Sequence, residues 1–469
     1  MAVLQMRGGV SMINIKGIEP LVNIFRTNGY QLYAVGGWVR DTIMGIDAHD
    51  LDMCTNAEPR EILNLLKYNN IQFHMVGIEF GTVTAILDGV EYEITTFRKE
   101  SGYVDSRHPS KIEWSKSLSE DIARRDFTIN AIAYDLINEK VIDLVGGIED
   151  IKNKVLRTVG NALDRVTEDP LRIVRGIRFA IKYGLTFDTE QDFSKIAIEN
   201  MHLLDNISNE RKTEELQKIL SLNKPISDNE LFKAMVLRVI PQLKVCDGVD
   251  QNNKYHRHDV LEHIFAVMDY CDTDDWRIKL SALLHDIGKP ASKTTDDEGW
   301  SHYYGHPQIS YELTREIVRD NLKLCSKDRK LIEDLVLNHD MMISSDKKLK
   351  RVLGTYGEDF LNCWFVLKGA DQADHVYPEG STFCQDIDDL RGRADKIIEE
   401  SSCLTVKDMA ISGRDIMKLK DLKQGKIIGT ILNQLLYEIL DSKLENTSDA
   451  LQKRVIEMDL DELDNFNEI

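Results

Sequence analysis

The strongest constraint on the fold is a change of hydrophobic pattern near residue 150. Before it, short runs rich in β-branched and aromatic residues, such as GTVTAIL (81–87) and VEYEITTFR (90–98), alternate with helical patterns. After it, apolar residues recur at helical spacing in one segment after another. The sequence therefore predicts an α+β fold class, with a mixed sheet and helices first and a largely all-α remainder.

Length and pattern breaks predict four domains. A chain of 469 residues has more material than one hydrophobic core needs. We place the domains at 1–158, 159–245, 246–400 and 401–469. The reason is that Gly160, the polar run 246–254 and the stretch 400–402 separate patterned segments.

Composition argues against a membrane protein and against a disulfide scaffold. No apolar run approaches the ~20 residues of a spanning helix, and the N-terminus has no apolar stretch typical of a secretory signal. The seven cysteines are scattered and never spaced as C-x-x-C. We therefore expect a cytoplasmic protein with reduced thiols and no membrane partner.

The formal net charge of -20 is unfavourable for binding nucleic acid, but the charge is unevenly distributed. Residues 157–182 hold six basic side chains against three acidic ones. The last thirteen residues hold six carboxylates and no base. A local basic stretch can therefore face phosphates, while an acidic tail accounts for part of the negative total.

The segment 34–52 has the pattern of a site for phosphate and metal. Gly36 and Gly37 end a strand and begin a helix, so backbone N–H groups can approach a phosphate there, although such turns are common. Asp50 and Asp52 are two residues apart, so on a strand both face one side while Leu51 faces the core. Two adjacent carboxylates favour a cation such as Mg²⁺ between them. Glu91 and Glu93 on a later strand offer a third carboxylate.

Two further segments carry residue types that suit a nucleoside triphosphate. RRDFTIN (124–130) supplies arginine for phosphates and Asp126 or Asn130 for a ribose hydroxyl, ahead of an expected helix INAIAYD (129–135). In EDPLR (168–172) an acid pair followed by proline is typical of the start of a helix.

The motifs together resemble a known family. GGWVRD (36–41), HDLD (49–52), EITTFRKE (93–100), RRDFTINAIAYD (124–135), EDPLRIVRGIRFA (168–180) and ERKTEEL (210–216) are similar, in order and spacing, to those of the class II tRNA nucleotidyltransferases. That family includes the CCA-adding enzymes and bacterial poly(A) polymerases. The resemblance implies a palm-like nucleotidyltransferase head at 1–158 and a helical neck at 159–245.

The resemblance also implies roles for individual residues. Asp50 and Asp52 match the metal-binding carboxylates that hold two Mg²⁺ ions, and Glu93 matches the supporting acid, with Glu91 as its competitor. Asp169 and Arg172 match a protein template that reads the base edges of CTP and ATP. The expected nucleotide-binding set is Gly36, Gly37, Arg40, Arg125, Asp126, Asn130, Asp169, Arg172, Arg175 and Arg178.

The resemblance implies transfer of CMP and AMP from CTP and ATP to the 3′ end of tRNA, with no role for DNA. Addition of A alone, as by a poly(A) polymerase, stays open within the same chemistry. Addition of CC alone is disfavoured because Lys99 to Trp114 resembles an intact flexible loop. A third reading is mainly a phosphohydrolase that carries a vestigial transferase head.

Residues 256–371 concentrate a second set of metal-binding side chains: His256, His258, His263, His285, Asp286, His302, His306, His339 and Asp371. In SALLHDIGK (281–289) a buried stripe of Leu280, Leu283, Leu284 and Ile287 places the HD pair at a helix edge, and we expect Gly288 to stop that helix. One ion can bind there if another helix supplies a ligand.

This segment resembles the HD superfamily of metal-dependent phosphohydrolases, expected here as a helical domain at 246–400. His263, His285, Asp286 and Asp371 match the H, HD and D positions, and His306 and His339 match the extra histidines of some members. Asp374 and Asp340 are alternatives to Asp371. The resemblance implies a divalent transition metal, with either phosphohydrolase activity or a mainly structural role.

The segment from Leu404 to Arg454 resembles the C-terminal region of longer bacterial CCA-adding enzymes, which contacts the tRNA elbow. Its apolar stripe, Ile427, Ile428, Ile431, Leu432, Leu435, Leu436 and Ile439, is expected to be core. The RNA candidates are its basic residues, Arg414, Lys418, Lys420, Lys423 and Lys426.

Overall fold

The computed structural model describes residues 17–48, 50–103, 109–252, 257–376, 384–401 and 403–459. Contacts divide the chain into two compact units, Met1–Ile219 with Asn229–Val239 and Leu220–Asp228 with Ile240–Ile469. The division falls inside the second predicted domain, and the four domain boundaries stay predictions. Among the described residues, no helix combines the length and the apolar character that crossing a bilayer requires.

The first unit is built on a seven-stranded mixed sheet, which confirms the predicted α+β class. The strand order is β3-β4-β5-β2-β1-β8-β9, and β2 and β5 pair in parallel while the other neighbours pair antiparallel. The strands are β1 Leu32–Val35, β2 Asp52–Thr55, β3 Gln72–His74, β4 Thr82–Leu87, β5 Val90–Thr96, β8 Ile132–Asp135 and β9 Lys140–Asp143.

Amphipathic helices cover this sheet, and those that contain Phe25 and Leu66 share a core with one of its sides. The helices of this part are α1 Glu19–Thr27, α2 Gly37–Met44, α3 Pro59–Tyr68, α4 Leu118–Ala123 and α5 Gly147–Asn153. Phe25 of α1 and Leu66 of α3 share a core with Met53 and Ile94, and all four are almost fully buried. Alternation of the strand residues produces this core, because every second side chain points to the same face.

Two local expectations in this unit are wrong. The run INAIAYD, expected as a helix, forms a 3₁₀ turn at Thr128–Asn130 followed by strand β8. Ile132, Ala133 and Tyr134 are fully buried on a strand between β1 and β9, so tertiary packing overrides a helical pattern. The segment expected as a loop after Lys99 is largely an antiparallel hairpin of β6 Arg98–Tyr103 and β7 Pro109–Trp114, and residues 104–108 lie outside the described ones.

The rest of the first unit is helical, as expected. It contains α6 Ala162–Glu168, α7 Leu171–Tyr183, α8 Phe193–Glu199, α9 Asn209–Leu220 and α10 Glu230–Val239, with short strands β10 Val155–Leu156 and β11 Thr186–Phe187. The acid pair of EDPLR does not start a helix. Glu168 ends α6 and Asp169 lies between the two helices, since Pro170 can precede the first turn of α7 but cannot continue α6.

The second unit is almost entirely helical. Its helices are α11 Val260–Tyr270, α12 Trp276–Leu284, α13 Lys289–Ser292, α14 His306–Glu316, α15 Ser326–Asn338, α16 Asp346–Tyr356, α17 Glu358–Asp374, α18 Ile387–Glu400, α19 Gly413–Lys420, α20 Lys426–Leu440 and α21 Ser448–Glu457, with a small hairpin of β12 Thr294–Thr295 and β13 Ser301–His302. The predicted apolar stripe of α20 is confirmed as core. Ile431 and Leu435 are fully buried against Leu451 and Val455 of α21.

Candidate active site

In the first unit, three carboxylates lie together at one end of β2 and β5. The parallel pairing Met53↔Ile94 places Asp52 beside Glu93, one residue earlier on each strand. Both side chains and that of Asp50 are exposed, and Leu51 between the two aspartates is buried as expected. The strand begins at Asp52, so Asp50 lies just before it rather than on it.

Charge repulsion marks this cluster as a place for a cation. Although Asp52 as a residue is exposed, desolvation of its carboxyl group raises its pKa, and Glu93 and Asp50 raise that pKa further while Arg125 lowers it. Glu91 points its carboxylate elsewhere, with one oxygen 3.8 Å from Nε2 of His74. The oxygen donors near Asp52 are thus Asp50 and Glu93, a donor set that suits Mg²⁺.

The turn at Gly36 brings the strand end close to these groups. Gly36 has φ +72, and a Cβ there would lie 3.6 Å from Nη1 of Arg125 and 3.8 Å from Oδ2 of Asp52. Helix α2 then begins at Gly37, so its free N–H groups start beside a guanidinium and a carboxylate. This arrangement can take a phosphate that is also bound to a cation.

The predicted nucleotide-binding residues Arg40, Asp126, Asn130 and Arg175 form one buried polar network. Arg40 Nη1 donates to Asn130 Oδ1 at 2.5 Å, and Asn130 Nδ2 donates to Asp126 Oδ1 at 3.0 Å. Arg175 donates to Asp126 Oδ2 from Nε at 2.9 Å and from Nη2 at 2.6 Å. Burial opposes the charge of Asp126, yet Arg175 and Asn130 lower its pKa to about 2.

Arg178 is tied to a residue that sequence reasoning did not name. Its Nε donates to Glu215 Oε2 at 2.6 Å, and its guanidinium lies 4.3 Å from the centre of the Phe179 ring. Glu215 is almost fully buried, on α9 within the quoted motif ERKTEEL. Arg178 therefore connects α7 to α9 in this structure.

The two residues expected to read the base are held by neighbours in this structure. Asp169 Oδ2 accepts from Arg211 Nη2 at 2.9 Å. Arg172 donates from Nη1 to Glu168 Oε2 at 2.8 Å and from Nη2 to the carbonyl of Arg124 at 3.0 Å. Arg211 was not named from the sequence, although it lies in the same motif as Glu215.

In the second unit, the HD pair lies on a turn. Helix α12 ends at Leu284, before His285, and not at Gly288 as expected. The turn 285–288 runs so close to α14 that a Cβ on Gly288 would lie 2.6 Å from the carbonyl oxygen of His306. The stripe Leu280, Leu283, Leu284 and Ile287 is fully buried as expected. The chain leaves the helix early because the backbone must make this approach.

A buried cluster of nitrogen and oxygen ligands surrounds Asp286. Its Oδ2 lies 3.3 Å from Nε2 of His263 and 3.2 Å from Nε2 of His285. Its Oδ1 lies 3.1 Å from Nε2 of His306 and 3.5 Å from Nε2 of His339. Asp371 Oδ1 lies 3.3 Å from His263 Nε2 on the first side. These are spacings at which separate ligands can share one metal ion.

The other ring nitrogen of each histidine has an acceptor. The Nδ1 atoms of His285, His306 and His339 lie 2.7–2.8 Å from the carbonyl oxygens of Ala282, Tyr303 and Val336. His263 Nδ1 lies 2.7 Å from Asp374 Oδ2. Such acceptors favour the proton on Nδ1 and leave the lone pair of Nε2 facing the cluster.

The pKa shifts of the residues in this cluster indicate that it favours positive charge. Burial disfavours the imidazolium of His263, yet Asp286, Asp371 and Asp374 raise its pKa to about 10. Burial also opposes the charge of Asp286, but His285 and Lys289 hold its pKa well below the ordinary value. The described residues offer no hydrogen-bond partner to Asp286 Oδ1. A cation between these ligands would satisfy that atom.

The geometry separates the three aspartates left open by the sequence. Asp371 faces the Nε2 atoms, Asp374 supports His263 from behind, and Asp340 is largely exposed. His258 also contacts Asp374, His302 pairs with Asp296 at 2.8 Å away from the cluster, and His256 lies outside the described residues.

Sequence reasoning missed Lys289 and His375. Lys289 Nζ lies 2.6 Å from Asp286 Oδ2, and His375 forms a further ligand group with His263 and Asp371. His375 lies four residues after Asp371 at the end of α17, and this spacing was an available signal, because such residues return to the same side of a helix. Lys289 follows the turn 285–288 and gave no such signal. Asp286, Lys289, His306, His339, Asp371 and His375 are among the residues that line a pocket of about 450 Å³.

Comparison with known proteins covers most of the chain. Residues 32–157 match the poly(A) polymerase head domain, 256–374 the HD domain, and 384–455 domain 2 of tRNA nucleotidyltransferases. The CCA-adding enzyme of Ligilactobacillus salivarius is 31% identical over 438 residues, 92% of this chain and 94% of its own. That of Bacillus pumilus is 30% identical, over 92% and 95%.

Solved structures share the fold. The CCA-adding enzyme of Bacillus stearothermophilus in complex with CTP has a TM-score of 0.61 at 23% identity, over 93% of this chain and 95% of that one. The Thermotoga maritima CCA-adding enzyme complexed with tRNA has a TM-score of 0.53 at 19% identity, over 93% of both. Membership of the head family implies dependence on a divalent cation. From motifs, geometry and relatives together, the chain belongs to the CCA-adding tRNA nucleotidyltransferases.

Proposed function

We propose that the protein builds or repairs the 3′ CCA end of tRNA, transferring CMP and AMP from CTP and ATP without a nucleic-acid template. The observation that carries the proposal is the cluster of Asp50, Asp52 and Glu93 beside the Gly36 turn and Arg125. The chain that holds this cluster matches CCA-adding enzymes along most of its length and of theirs. Addition of A alone and a mainly hydrolytic role are not favoured by those relatives.

The carboxylates Asp50, Asp52 and Glu93 would hold two Mg²⁺ ions. When bound, such ions would neutralise the charge of the triphosphate and the negative charge that develops on the attacking 3′ oxygen. Arg125 supplies a guanidinium to the triphosphate, and the N–H groups that begin α2 supply uncharged donors. The network of Asp126 and Asn130 supports the position of Arg125, since Arg125 Nη1 lies 3.5 Å from the carbonyl oxygen of Asn130.

Base selection is assigned to Asp169 and Arg172. Cytosine and adenine both present an amino group next to an unprotonated ring nitrogen. A carboxylate accepts from the amino group and a guanidinium donates to the ring nitrogen. Uracil and guanine present the reverse pattern at those positions. Because Arg211 and Glu168 already hold the two side chains, reading a base requires exchange of some of these bonds.

The test is to supply tRNA transcripts that end before, within and after CC, each with a single labelled nucleotide, and to sequence the products. We expect CTP to be used at the first two positions and ATP at the third, with no extension of finished tRNA. Extension with ATP alone, whatever the end supplied, would contradict CCA addition and support A-only addition. The cytoplasmic location and the RNA role of the tail's basic residues stay predictions.

A second candidate function, metal-dependent phosphohydrolysis, is favoured by the buried cluster around Asp286. The donor set of His263, His285, Asp286 and Asp371 suits a divalent transition metal, and His306 with His339 would supply further nitrogen ligands. Lys289 would bind a phosphate oxygen at the pocket. Metal analysis of the purified protein and hydrolysis of 2′,3′-cyclic phosphates test this candidate.

A further inference from the structure

Asp121 is a buried carboxylate that lies between the two parts of the proposed nucleotide site. It belongs to α4, and its side chain is fully buried. A carboxylate without water is stable only when paired and hydrogen-bonded. Burial raises its pKa, but the guanidinium groups of Arg124 and Arg125 outweigh that effect and lower it, so the group is ionised.

Two consecutive arginines, Arg124 and Arg125, donate hydrogen bonds to this carboxylate. Arg124 donates to Oδ1 from Nε at 2.9 Å and from Nη2 at 2.6 Å. Arg125 donates to Oδ2 from Nη2 at 3.0 Å. The spacing explains the geometry, because residues three and four positions further along a helix lie on the same face. Each oxygen of Asp121 therefore orients a different arginine.

The Arg125 branch leads to the phosphate end of the site. Arg125 Nη1 and Asp52 Oδ2 both lie by the Gly36 turn, and the positive charge of Arg125 lowers the pKa of Asp52. The guanidinium is thus oriented by Asp121 on one edge, while its Nη1 lies by the Gly36 turn.

The Arg124 branch leads to the base end of the site. The carbonyl oxygen of Arg124 accepts a hydrogen bond from Nη2 of Arg172 at 3.0 Å. Arg172 is the residue proposed to donate to the base. Asp121 holds the Arg124 side chain by hydrogen bonds. It therefore also fixes the backbone carbonyl of Arg124 to which Arg172 donates.

We propose that Asp121 is a positioning residue that sets the phosphate-binding Arg125 and the base-reading Arg172 relative to each other. The inference rests on the proposed function, because it takes the roles of Arg125 and Arg172 from there. Its consequence is that disturbing Asp121 alters nucleotide choice and nucleotide affinity together, although Asp121 itself touches no substrate.

The test uses full-length Asp121→Asn, which keeps the size of the side chain and removes its charge. We expect the KM for CTP and ATP to rise about tenfold or more, and the preference for CTP over UTP to fall by a similar factor. Asp121→Glu should recover part of both. Thermal unfolding is measured in parallel, because two guanidinium groups lose their counter-charge.

Asp150→Asn is the matched control. Asp150 is also buried, pairs with Arg157 at 3.3 Å and accepts from Thr128 at 2.6 Å, so these partners are neither Arg125 nor Arg172. We expect it to lower the melting temperature and leave the CTP-to-UTP ratio unchanged. An equal change of that ratio in both variants would overturn the proposal, as would an Asp121→Asn enzyme that slows on all four nucleotides with unchanged ratios.

A second pair of variants keeps the test decisive if Asp121→Asn does not fold. Arg124→Gln should change mainly the CTP-to-UTP ratio, and Arg125→Gln should mainly raise the KM for every nucleotide. Identical effects of the two would contradict the division between branches. Absence of CTP incorporation by the parent protein would refute the proposed function itself. If the parent protein is active but the two variants behave alike, only the role of Asp121 is refuted.

Discussion

The two candidate metal sites differ in how far their ligand side chains are buried in the folded chain. Asp50, Asp52 and Glu93 are exposed, whereas His263, His285 and Asp286 are at most 1% exposed. Exposed carboxylates can stay hydrated until a nucleotide arrives with its cation. Buried ligands need their positive charge in place, because an unpaired buried carboxylate is costly. We infer a cation that exchanges with substrate in the first unit and a resident one in the second.

The largest expected effect is on nucleotide addition. Asp52→Asn should lower CTP incorporation by about a thousandfold or more, because it removes a charged cation ligand from the reacting centre. The melting temperature should stay nearly unchanged, since the side chain is exposed. Glu93→Gln should follow Asp52→Asn, and Glu91→Gln is its matched control on the same strand. Equal losses from Glu91→Gln and Glu93→Gln would contradict the assignment of the third carboxylate.

The next effect concerns metal retention by the second site. His285→Ala combined with Asp286→Ala should reduce bound transition metal to background after chelation and gel filtration, while the parent protein retains it. Hydrolysis of a 2′,3′-cyclic phosphate should be lost with the metal, and CTP incorporation should change little. His302→Ala, outside the cluster, is the control. A parent protein without retained metal would remove the contrast between the sites and favour a structural role for the cluster.

A smaller effect is expected on the choice of base. Asp169→Ala should raise the use of UTP and GTP relative to CTP and ATP. In the parent protein a mismatched base leaves the carboxylate unpaired, which costs roughly 1–3 kcal/mol, and the variant removes that penalty. Arg172→Ala should act in the same direction, and the double variant should be non-additive since both read one base. Asp164→Ala, exposed on the neighbouring helix, is the control. A uniform fall for all four nucleotides would point to Arg175 as the next candidate.

The smallest effect is on acid stability. The pKa of Asp126 is lowered to about 2 in the folded protein, so its contribution is complete above the unfolded value of 3.8 and is lost as pH falls through that interval. Asp126→Asn should lose about 2 kcal/mol near neutral pH, a small part of that near pH 2 and nothing well below pH 2. Calorimetric unfolding of both proteins across this range measures it. A constant difference between them at all pH values would show that the ion pair with Arg175 is not its source.

The sequence predicted those features whose signals are local. The change from strand to helix patterns, the buried Leu51 between two exposed aspartates, and the apolar stripe of α20 all follow from periodicity. Failures occurred where distant residues decide the outcome. INAIAYD becomes a strand because the sheet buries both of its faces, and α12 ends early because Gly288 must approach α14.

The site residues divide in the same way. Motifs named the residues expected to face substrate or metal. They did not name Asp121, Arg211, Glu215, Lys289 or His375, whose importance lies in a contact with another named residue. A one-dimensional pattern can indicate a metal ligand or a phosphate-binding glycine. It cannot indicate which arginine a buried carboxylate orients, because that depends on packing.

The close approach at Gly288 decides which side chains face Oδ1 of Asp286. The turn 285–288 carries His285 and Asp286, and the facing end of α14 carries His306; the two backbones meet at a position where no Cβ fits. Alanine there would push the halves apart and leave every ligand in the chain. The ligands around Asp286 Oδ2 would stay together, whereas Oδ1 would lose the approach of His306, which α14 carries. The position of His306 against Asp286 is thus set by a missing methyl group as well as by the side chains themselves.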